Sequence, residues 1–455
     1  MLKKSLKIAV VGHTNAGKTS FLRTLLRNRE LGAVSAMPST TREVTCYTIV
    51  PSSQVHLQFI DTPGLEESTE LYRYITRDVP KQLKHDGPKQ LEYVLEEPQF
   101  VSRFDQEAKV LRQLLKSDAA LVVIDTRANL LEKFLDELYI LKLAGIPLVL
   151  ILNFSTNEQD IARWEQGLRS ASVHNLVAFD NVHTPFSAEE NLFEQLSSVM
   201  PRYKSVFAAE LKNRAEARLN RKREALYLLS NLLIDVATAA RIADKSQESE
   251  VRAELQARVT QAEMDCMRKV LAVFGFTPND TRLEQLPMSG GYWQDGLFDT
   301  ETWQRFGISV AGATAGGGAI GAGIDVMTGG LSMGLGMVIG SAIGVAYQGA
   351  GSFGTKLKAK WQGKCWYSIE TSVLQILLVR QLTLIKALSE RGLAAEHPLI
   401  INSFLELDTS KYIKQIEKLR HRNEWSALYN KTVSDRLKKE QKIEGFQLLL
   451  ENLFD

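Results

Sequence analysis

Nine residues near the start of the chain, GHTNAGKTS at positions 12–20, have the types and spacing of a phosphate-binding loop. The pattern GxxxxGK(S/T) surrounds a polyphosphate with backbone N–H groups at the first turn of a helix. Lys18 would contact the outer phosphates, and the hydroxyl of Thr19 would be a ligand of Mg²⁺. Glycine at positions 12 and 17 lets the backbone approach the phosphates, since a Cβ atom there would clash. The loop residues predicted to bind phosphate are Asn15, Ala16, Gly17, Lys18, Thr19 and Ser20.

The elements on either side of this loop are those that a phosphate-binding loop requires. The apolar residues 7–11 predict a buried strand before the loop, and residues 19–29 predict a helix after it. Residues 44–50 and 55–60 predict two more strands, and the second leads directly into Asp-Thr-Pro-Gly at 61–64. Asp61 therefore lies at the carboxyl end of a strand, where ligands bind in open α/β sheets.

Later apolar runs complete an α/β pattern. Residues 119–124 and 147–152 predict buried strands with a helix between them, and residues 175–179 predict a last strand before a helix at 191–200. A βαβ unit requires parallel strands with helices packed on the sheet. We therefore predict a mainly parallel sheet with helices on both faces.

The order of strand, GHTNAGKT, Thr-Thr-Arg at 40–42 and Asp-Thr-Pro-Gly resembles the small GTP-binding domain of the Era and TrmE group of bacterial GTPases, within the Ras-like class. The resemblance covers about residues 5–200 and implies a Ras-like P-loop fold with Mg²⁺-dependent GTP hydrolysis. It implies that Thr41 is the switch-one threonine that binds Mg²⁺ and senses the γ-phosphate, and that Asp61 holds Mg²⁺ through water. It also implies that the N–H of Gly64 binds the γ-phosphate, so that Lys18, Thr41 and Gly64 form the catalytic set.

Two further residue assignments come from the same resemblance. Asn15 matches the asparagine that helps to place K⁺ in potassium-activated relatives, although asparagine also suits a turn for steric reasons. Ser187 and Ala188 match the loop whose backbone N–H contacts the guanine oxygen.

The sequence departs from the family pattern at two places. Leu65 stands where Ras-type enzymes have a water-orienting glutamine, so intrinsic hydrolysis should be slow unless K⁺, a partner or a second protomer completes the site. The strand ending at 152 is followed by Asn-Phe-Ser-Thr in place of NKxD. Asn153 is retained, whereas the lysine and the guanine-binding aspartate are not. We favour GTP, with ATP as the alternative.

Residues 66–117 are too many for an ordinary loop and have helical spacing, which predicts a helical insertion after switch two. It is either the surface that reports the nucleotide state or a decoration. The later part of the chain is predicted to be all helical. We divide the chain into a GTPase domain at 1–200, a helical region and connector at 201–305, a glycine-rich helical hairpin at 306–355 and a C-terminal helical region at 356–455.

The glycine-rich segment is the second unusual feature. Residues 306–355 contain sixteen of the thirty glycines and one charged residue, Asp325. Several glycines repeat every four residues, a spacing that lets helices touch, so we predict an antiparallel hairpin with its turn at 325–330. Lysines and tryptophans follow at 356–366, as at membrane interfaces. Residues 306–367 either contact lipid or pack inside a soluble helical domain.

Composition limits the remaining functions. The net charge of +2 over 455 residues makes nucleic acid an unlikely partner, and three separated cysteines indicate a reducing cytoplasm. We expect a cytoplasmic protein with a peripheral membrane location as the alternative, an unidentified protein partner and a homodimer as a further option. The rival functions are a membrane-associated scaffold or remodelling protein controlled by nucleotide, and an Era-like ribosome-associated GTPase. The second rests on the basic run 212–223.

Overall fold

The chain is described by a computed structural model. It divides into two compact units, Met1–Ala217 with Glu390–Glu396, and Arg218–Ser389 with His397–Asp455. The structure describes residues 5–28, 31, 43–52, 55–155, 157–171, 173–181, 184–277, 288–289, 292–293, 297–298, 324–327, 364–391, 409–430, 432–433 and 435–453.

The first unit is built on a six-stranded sheet with the order β2-β3-β1-β4-β5-β6. β2 runs antiparallel to β3, and the other neighbours are parallel. The predicted mainly parallel sheet is therefore confirmed. Its strands are β1 Ser5–Val11, β2 Thr45–Ser52, β3 Val55–Asp61, β4 Ala119–Asp125, β5 Leu148–Asn153 and β6 Leu176–Ala178.

Helices cover both faces of this sheet. Along β1, Leu6, Ile8 and Val10 pack in one apolar cluster, whereas Ala9 and Val11 pack in another on the opposite face. A strand buried on both faces must be apolar throughout, which explains the continuous apolar runs. The helices are α1 Lys18–Leu26, α2 Ser68–Asp78, α3 Gly87–Glu96, α4 Pro98–Arg103, α5 Asp105–Leu115, α6 Glu132–Lys142, α7 Glu158–Ser170 and α8 Phe186–Val199.

Residues 66–117 contain the four helices α2 to α5 and a short 3-10 turn, Lys81–Leu83. Buried aromatic rings join these helices. The ring of Tyr74 on α2 lies 5.3 Å from that of Phe100 and 5.9 Å from that of Phe104, centroid to centroid. The four helices therefore pack as one group against the sheet.

The second unit is mainly helical. A long helix, α9, begins in the first unit and ends in the second. The helices are α9 Lys204–Ala237, α10 Glu248–Val273, α11 Thr371–Glu390, α12 Ser410–Glu417 and α13 Arg436–Glu451. Within the described residues, α11 alone is long and apolar enough to cross a membrane, but 72% of its most apolar stretch is buried inside the protein. A core helix passes the same test of length and composition.

Small sheets accompany these helices. One has the order β10-β11-β7, and the other pairs β8 with β9. Their strands are β7 Ala240–Ala243, β8 Met288–Ser289, β9 Tyr292–Trp293, β10 Ile324–Met327 and β11 Cys365–Ile369.

The predicted turn of the glycine-rich hairpin is wrong at residues 325–327. They belong to β10, which runs antiparallel to β11 and places Asp325 opposite Ser368. Ile324 and Val326 are β-branched and suit a strand. The pairing partner lies about forty residues away in the chain, so glycine spacing could not reveal it. The other residues of 306–355 lie outside the described part of the chain.

Candidate nucleotide site

The phosphate-binding loop connects the end of β1 to the start of α1. Asn15 and Gly17 both have left-handed backbone conformations, with φ of 63° and 90°. A Cβ atom on Gly17 would lie 2.4 Å from Nδ2 of Asn153, so no other residue fits. The first turn of α1 has no acidic residue and no side-chain cap. Its N–H groups and the positive end of its dipole therefore suit an anion.

Lys18 is the first residue of α1, directly after this loop, and is buried. Its Nζ atom donates hydrogen bonds to the carbonyl oxygens of Gly12 at 3.0 Å and His13 at 2.9 Å. Burial lowers the pKa of Lys18, and the nearby carboxylate of Asp61 opposes that shift. The backbone carbonyl groups of Gly12 and His13 therefore hold the ammonium group of Lys18 inside the loop, where the phosphates are expected to bind.

The two residues expected to bind Mg²⁺ are brought together. The Thr19 hydroxyl donates to Oδ2 of Asp61 at 2.7 Å. Burial raises the pKa of Asp61, while the bond from Thr19 and the charge of Lys18 oppose it. Among the described residues, Oδ1 of Asp61 is buried and accepts no hydrogen bond. A buried carboxylate oxygen without a partner is costly, and a hard cation with oxygen ligands would satisfy it. Thr41 lies outside the described residues.

The residues after β3 lie directly against the loop. The N–H of Leu65 donates to the carbonyl of Gly12 at 3.3 Å, and Nδ1 of His13 lies 2.5 Å from the carbonyl oxygen of Leu65. Since a carbonyl only accepts, His13 carries its proton on Nδ1. Burial lowers the pKa of His13. A Cβ atom on Gly64 would lie 2.2 Å from Oγ1 of Thr14, so this close approach requires glycine.

Asn153 connects the carboxyl ends of β5 and β6 to the loop, and it is fully buried. Its Nδ2 donates to the carbonyl of Ala16 at 3.0 Å, and its Oδ1 accepts from the N–H of Asn181 at 3.3 Å. Nδ2 of Asn181 in turn donates to the carbonyl of Gly17 at 3.3 Å. The predicted residue Asn153 thus reaches the loop, together with Asn181, which sequence reasoning missed because Asn181 matches no motif.

The predicted loop at Ser187 and Ala188 is wrong as secondary structure. Both residues belong to the first turn of α8, and the N–H of Ala188 donates to the carbonyl of Pro185 at 3.0 Å. Alanine and glutamate at 188–190 are strong helix formers, which favours an early helix start. A contact of these residues with a base stays a prediction.

Glu137 on α6 is a second residue that the motifs did not indicate. It is buried, and burial raises its pKa to about 7 although Lys18 and Lys133 oppose the shift. Its Oε1 accepts no hydrogen bond among the residues that the structure describes. Lys18, the lysine predicted to contact the phosphates, therefore has two buried carboxylates in its surroundings, Asp61 and Glu137.

A mainly parallel sheet that carries this loop, a buried lysine and a Thr–Asp pair defines a P-loop GTPase domain of the Ras-like fold. The chain belongs to the family described as Domain of unknown function (DUF3482), whose model matches residues 166–446. Residues 7–154 match the family described as 50S ribosome-binding GTPase. The chain thus combines a GTPase domain with a separate, mainly helical C-terminal domain.

Individual relatives match part of the chain. The chain is 27% identical over 199 residues to the probable GTP-binding protein EngB of Xylella fastidiosa. This alignment covers 43% of this chain and 82% of EngB. It is 32% identical over 123 residues to the tRNA modification GTPase MnmE of Desulforamulus reducens. That alignment covers 27% of this chain and 25% of MnmE. A crystal structure of Era with MgGDPNP and a fragment of 16S ribosomal RNA has a TM-score of 0.32 at 18% identity, over 44% of this chain and 57% of the Era chain.

Proposed function

We propose that this protein is a Mg²⁺-dependent switch that binds and slowly hydrolyses GTP and relays its nucleotide state to the helical C-terminal domain. The observation that carries the proposal is the contact of Thr19 with Asp61 at 2.7 Å beside the buried Lys18. These three side chains meet at the carboxyl edge of the sheet, where ligands bind in α/β folds. The match of residues 7–154 to the family described as 50S ribosome-binding GTPase supports the same function.

Each residue has a defined part in this proposal. Lys18 and the N–H groups of the loop bind the phosphates, and Thr19, Asp61 and the undescribed Thr41 hold Mg²⁺. When bound, Mg²⁺ neutralises charge on the phosphates. Gly64 donates its N–H to the γ-phosphate, so loss of that phosphate removes one bond from the switch-two segment.

The expected rate is low because Leu65 is apolar and fully buried, and cannot orient a water molecule. K⁺ beside Asn15, a protein partner or a second protomer would supply the missing group. The left-handed backbone of Asn15 equally supports its steric role in the turn.

A single set of assays tests the proposal. Hydrolysis of GTP and ATP is measured in K⁺ and in Na⁺, with Mg²⁺ or with EDTA, for the parent protein and for Lys18→Ala. We expect slow Mg²⁺-dependent hydrolysis, faster with GTP than with ATP and faster in K⁺ than in Na⁺. Because Lys18 contacts the phosphates, Lys18→Ala should lose nucleotide affinity. A Lys18→Ala protein that binds nucleotide as tightly as the parent would contradict the assignment.

Contact of residues 306–367 with lipid is a separate proposal. Its support is the glycine spacing and the lysines at 356–364 with Trp361. Trp366 on β11 is 5% exposed and does not contribute to that support. Deleting residues 312–351 from the full chain should move the protein from the membrane fraction to the soluble fraction. A stable deletion variant with an unchanged distribution would exclude this segment as the lipid contact.

A further inference from the structure

The last helix of the 66–117 insertion places a buried carboxylate against the segment that follows Gly64. Glu107 on α5 is 4% exposed. Its Oε1 accepts the N–H of Glu66 and the N–H of Glu67, each at 3.1 Å. Hydrogen bonds to a charged acceptor are stronger than neutral ones, and a buried carboxylate needs them. The two bonds therefore fix the position of both residues.

These two amides lie at the start of α2. Glu67 is the N-cap of α2, and its own side chain makes no capping hydrogen bond. The first N–H groups of a helix have no partner within the helix. Glu107 supplies an acceptor from a different helix, and its negative charge matches the positive end of the α2 dipole.

The same segment also touches the phosphate-binding loop. The carboxylate of Glu66 accepts a hydrogen bond from the Thr14 hydroxyl at 3.0 Å, and the N–H of Glu66 donates to Glu107. Glu66 is thus bonded to the loop on one side and to α5 on the other. Two hydrogen bonds connect the loop to the insertion through one residue.

The helices of the insertion are packed so closely that α5 cannot move without the other helices. Phe104, which directly precedes α5, is fully buried, and its ring lies 5.2 Å from that of Phe100 and 5.9 Å from that of Tyr74. Close-packed aromatic rings transmit displacement instead of deforming. Movement of residues 64–67 should therefore affect helices α2 to α5 together.

We propose that Glu107 is the positioning residue of switch two, taken here as residues 64–67, through which helices α2 to α5 respond to the terminal phosphate. The part that concerns phosphate rests on the proposed function, since it assumes that Gly64 binds the γ-phosphate. The part that concerns position does not, because the hydrogen bonds from the N–H groups of Glu66 and Glu67 to Glu107 involve protein atoms only.

The first experiment tests position without nucleotide. Amide hydrogen exchange is measured on the full chain for the parent, Glu107→Ala, Glu107→Gln and Glu96→Ala, an exposed glutamate of the same insertion. Glu107→Ala should exchange about tenfold faster at residues 66–71, since two amides lose their acceptor. Glu107→Gln retains an oxygen acceptor and should remain near the parent, as should Glu96→Ala. Unchanged exchange in Glu107→Ala would overturn the proposal.

The second experiment tests the response to phosphate. Affinities for GDP and for a non-hydrolysable GTP analogue are measured for the same four proteins. In Glu107→Ala the ratio of analogue affinity to GDP affinity should fall about tenfold. The GDP affinity itself should not change, because GDP has no γ-phosphate. An equal loss of both affinities would overturn the response to phosphate. A parent protein that binds neither nucleotide would overturn the proposed function as well, while the exchange result would still decide whether Glu107 holds the segment.

Discussion

At the scale of single residues, Glu137 is a buried group whose ionisation the fold changes. It is buried in the apolar surroundings of α6, and its pKa rises from 4.5 to about 7 because burial disfavours the charged form. The charged groups near it are Lys18 and Lys133. Between these two pKa values the folded protein holds a proton that the unfolded chain has lost. The free energy of unfolding should therefore fall as the pH rises through this window.

We expect Glu137→Gln to remove this part of the pH dependence. From pH 5 to pH 8 the nucleotide-free parent should lose on the order of 2 kcal/mol of stability relative to the variant, since a neutral amide has no proton to lose. Melting temperatures across this range measure the difference. Glu132→Gln, on the exposed face of the same helix, is the matched control and should follow the parent. Parallel curves for the parent and Glu137→Gln would show that Glu137 is ionised when folded.

The residues of the phosphate site were predictable to the extent that their spacing is local. Gly17, Lys18 and Thr19 follow from nine consecutive letters, and Asp61 follows from its place after an apolar run. Glu107 and Glu137 were not predictable. Glu107 accepts hydrogen bonds from residues forty or more positions away, and a glutamate in an amphipathic helix usually faces water.

At the scale of elements, the amide side chain of Asn153 links the carboxyl ends of β5 and β6 to each other and to the loop. Asn153 makes bonds to Ala16, Phe154 and Asn181 at 2.9 to 3.3 Å. Phe154 has a left-handed backbone with φ of 58°, which is unusual for a bulky residue. The bond from its N–H to Asn153 holds it in this conformation.

We expect Asn153→Ala to weaken nucleotide binding and to lower stability by about 1–3 kcal/mol, because buried polar groups lose their partners. Asn175→Ala is the control, since the Asn175 side chain bonds to Leu148 at the opposite end of the same two strands. That variant should keep the parent's nucleotide affinity. Isothermal titration with GDP and urea unfolding measure the two effects. Equal nucleotide affinity in Asn153→Ala and the parent would show that Asn153 does not contribute to nucleotide binding.

The elements themselves were predicted unevenly. Strands β1, β3 and β5 are apolar runs next to ligand motifs, so their composition and their context both indicated them. β4 was indicated by its apolar run alone. β10 was missed because its four residues lie within a glycine pattern that suggested helices, and its pairing with β11 is long-range. Strand pairing of this kind depends on partners that a local pattern does not contain.

At the scale of the whole molecule, α9 begins in the first unit and ends in the second. It runs for 34 residues, Lys204–Ala237, and the basic run 212–223 lies within it. Arg214 in this run does not face solvent. It donates to the carbonyl of Leu25 at 2.7 Å, and to the carboxylates of Glu189 at 3.0 Å and Glu210 at 2.6 Å. One of the six basic residues offered for RNA or lipid is thus used to join α1, α8 and α9 within the first unit.

We expect Arg214→Met to lower the free energy of unfolding of the full chain by about 3 kcal/mol, because Glu189 and Glu210 would stay buried with a partner removed. Lys212→Ala is the control on the same helix. Its ion pair with Glu216 is exposed and 3.9 Å long, and such pairs contribute less than ~0.5 kcal/mol. Urea unfolding of both variants measures the contrast. If the two substitutions cost the same, the attachment of α9 to the first unit does not depend on this ion network.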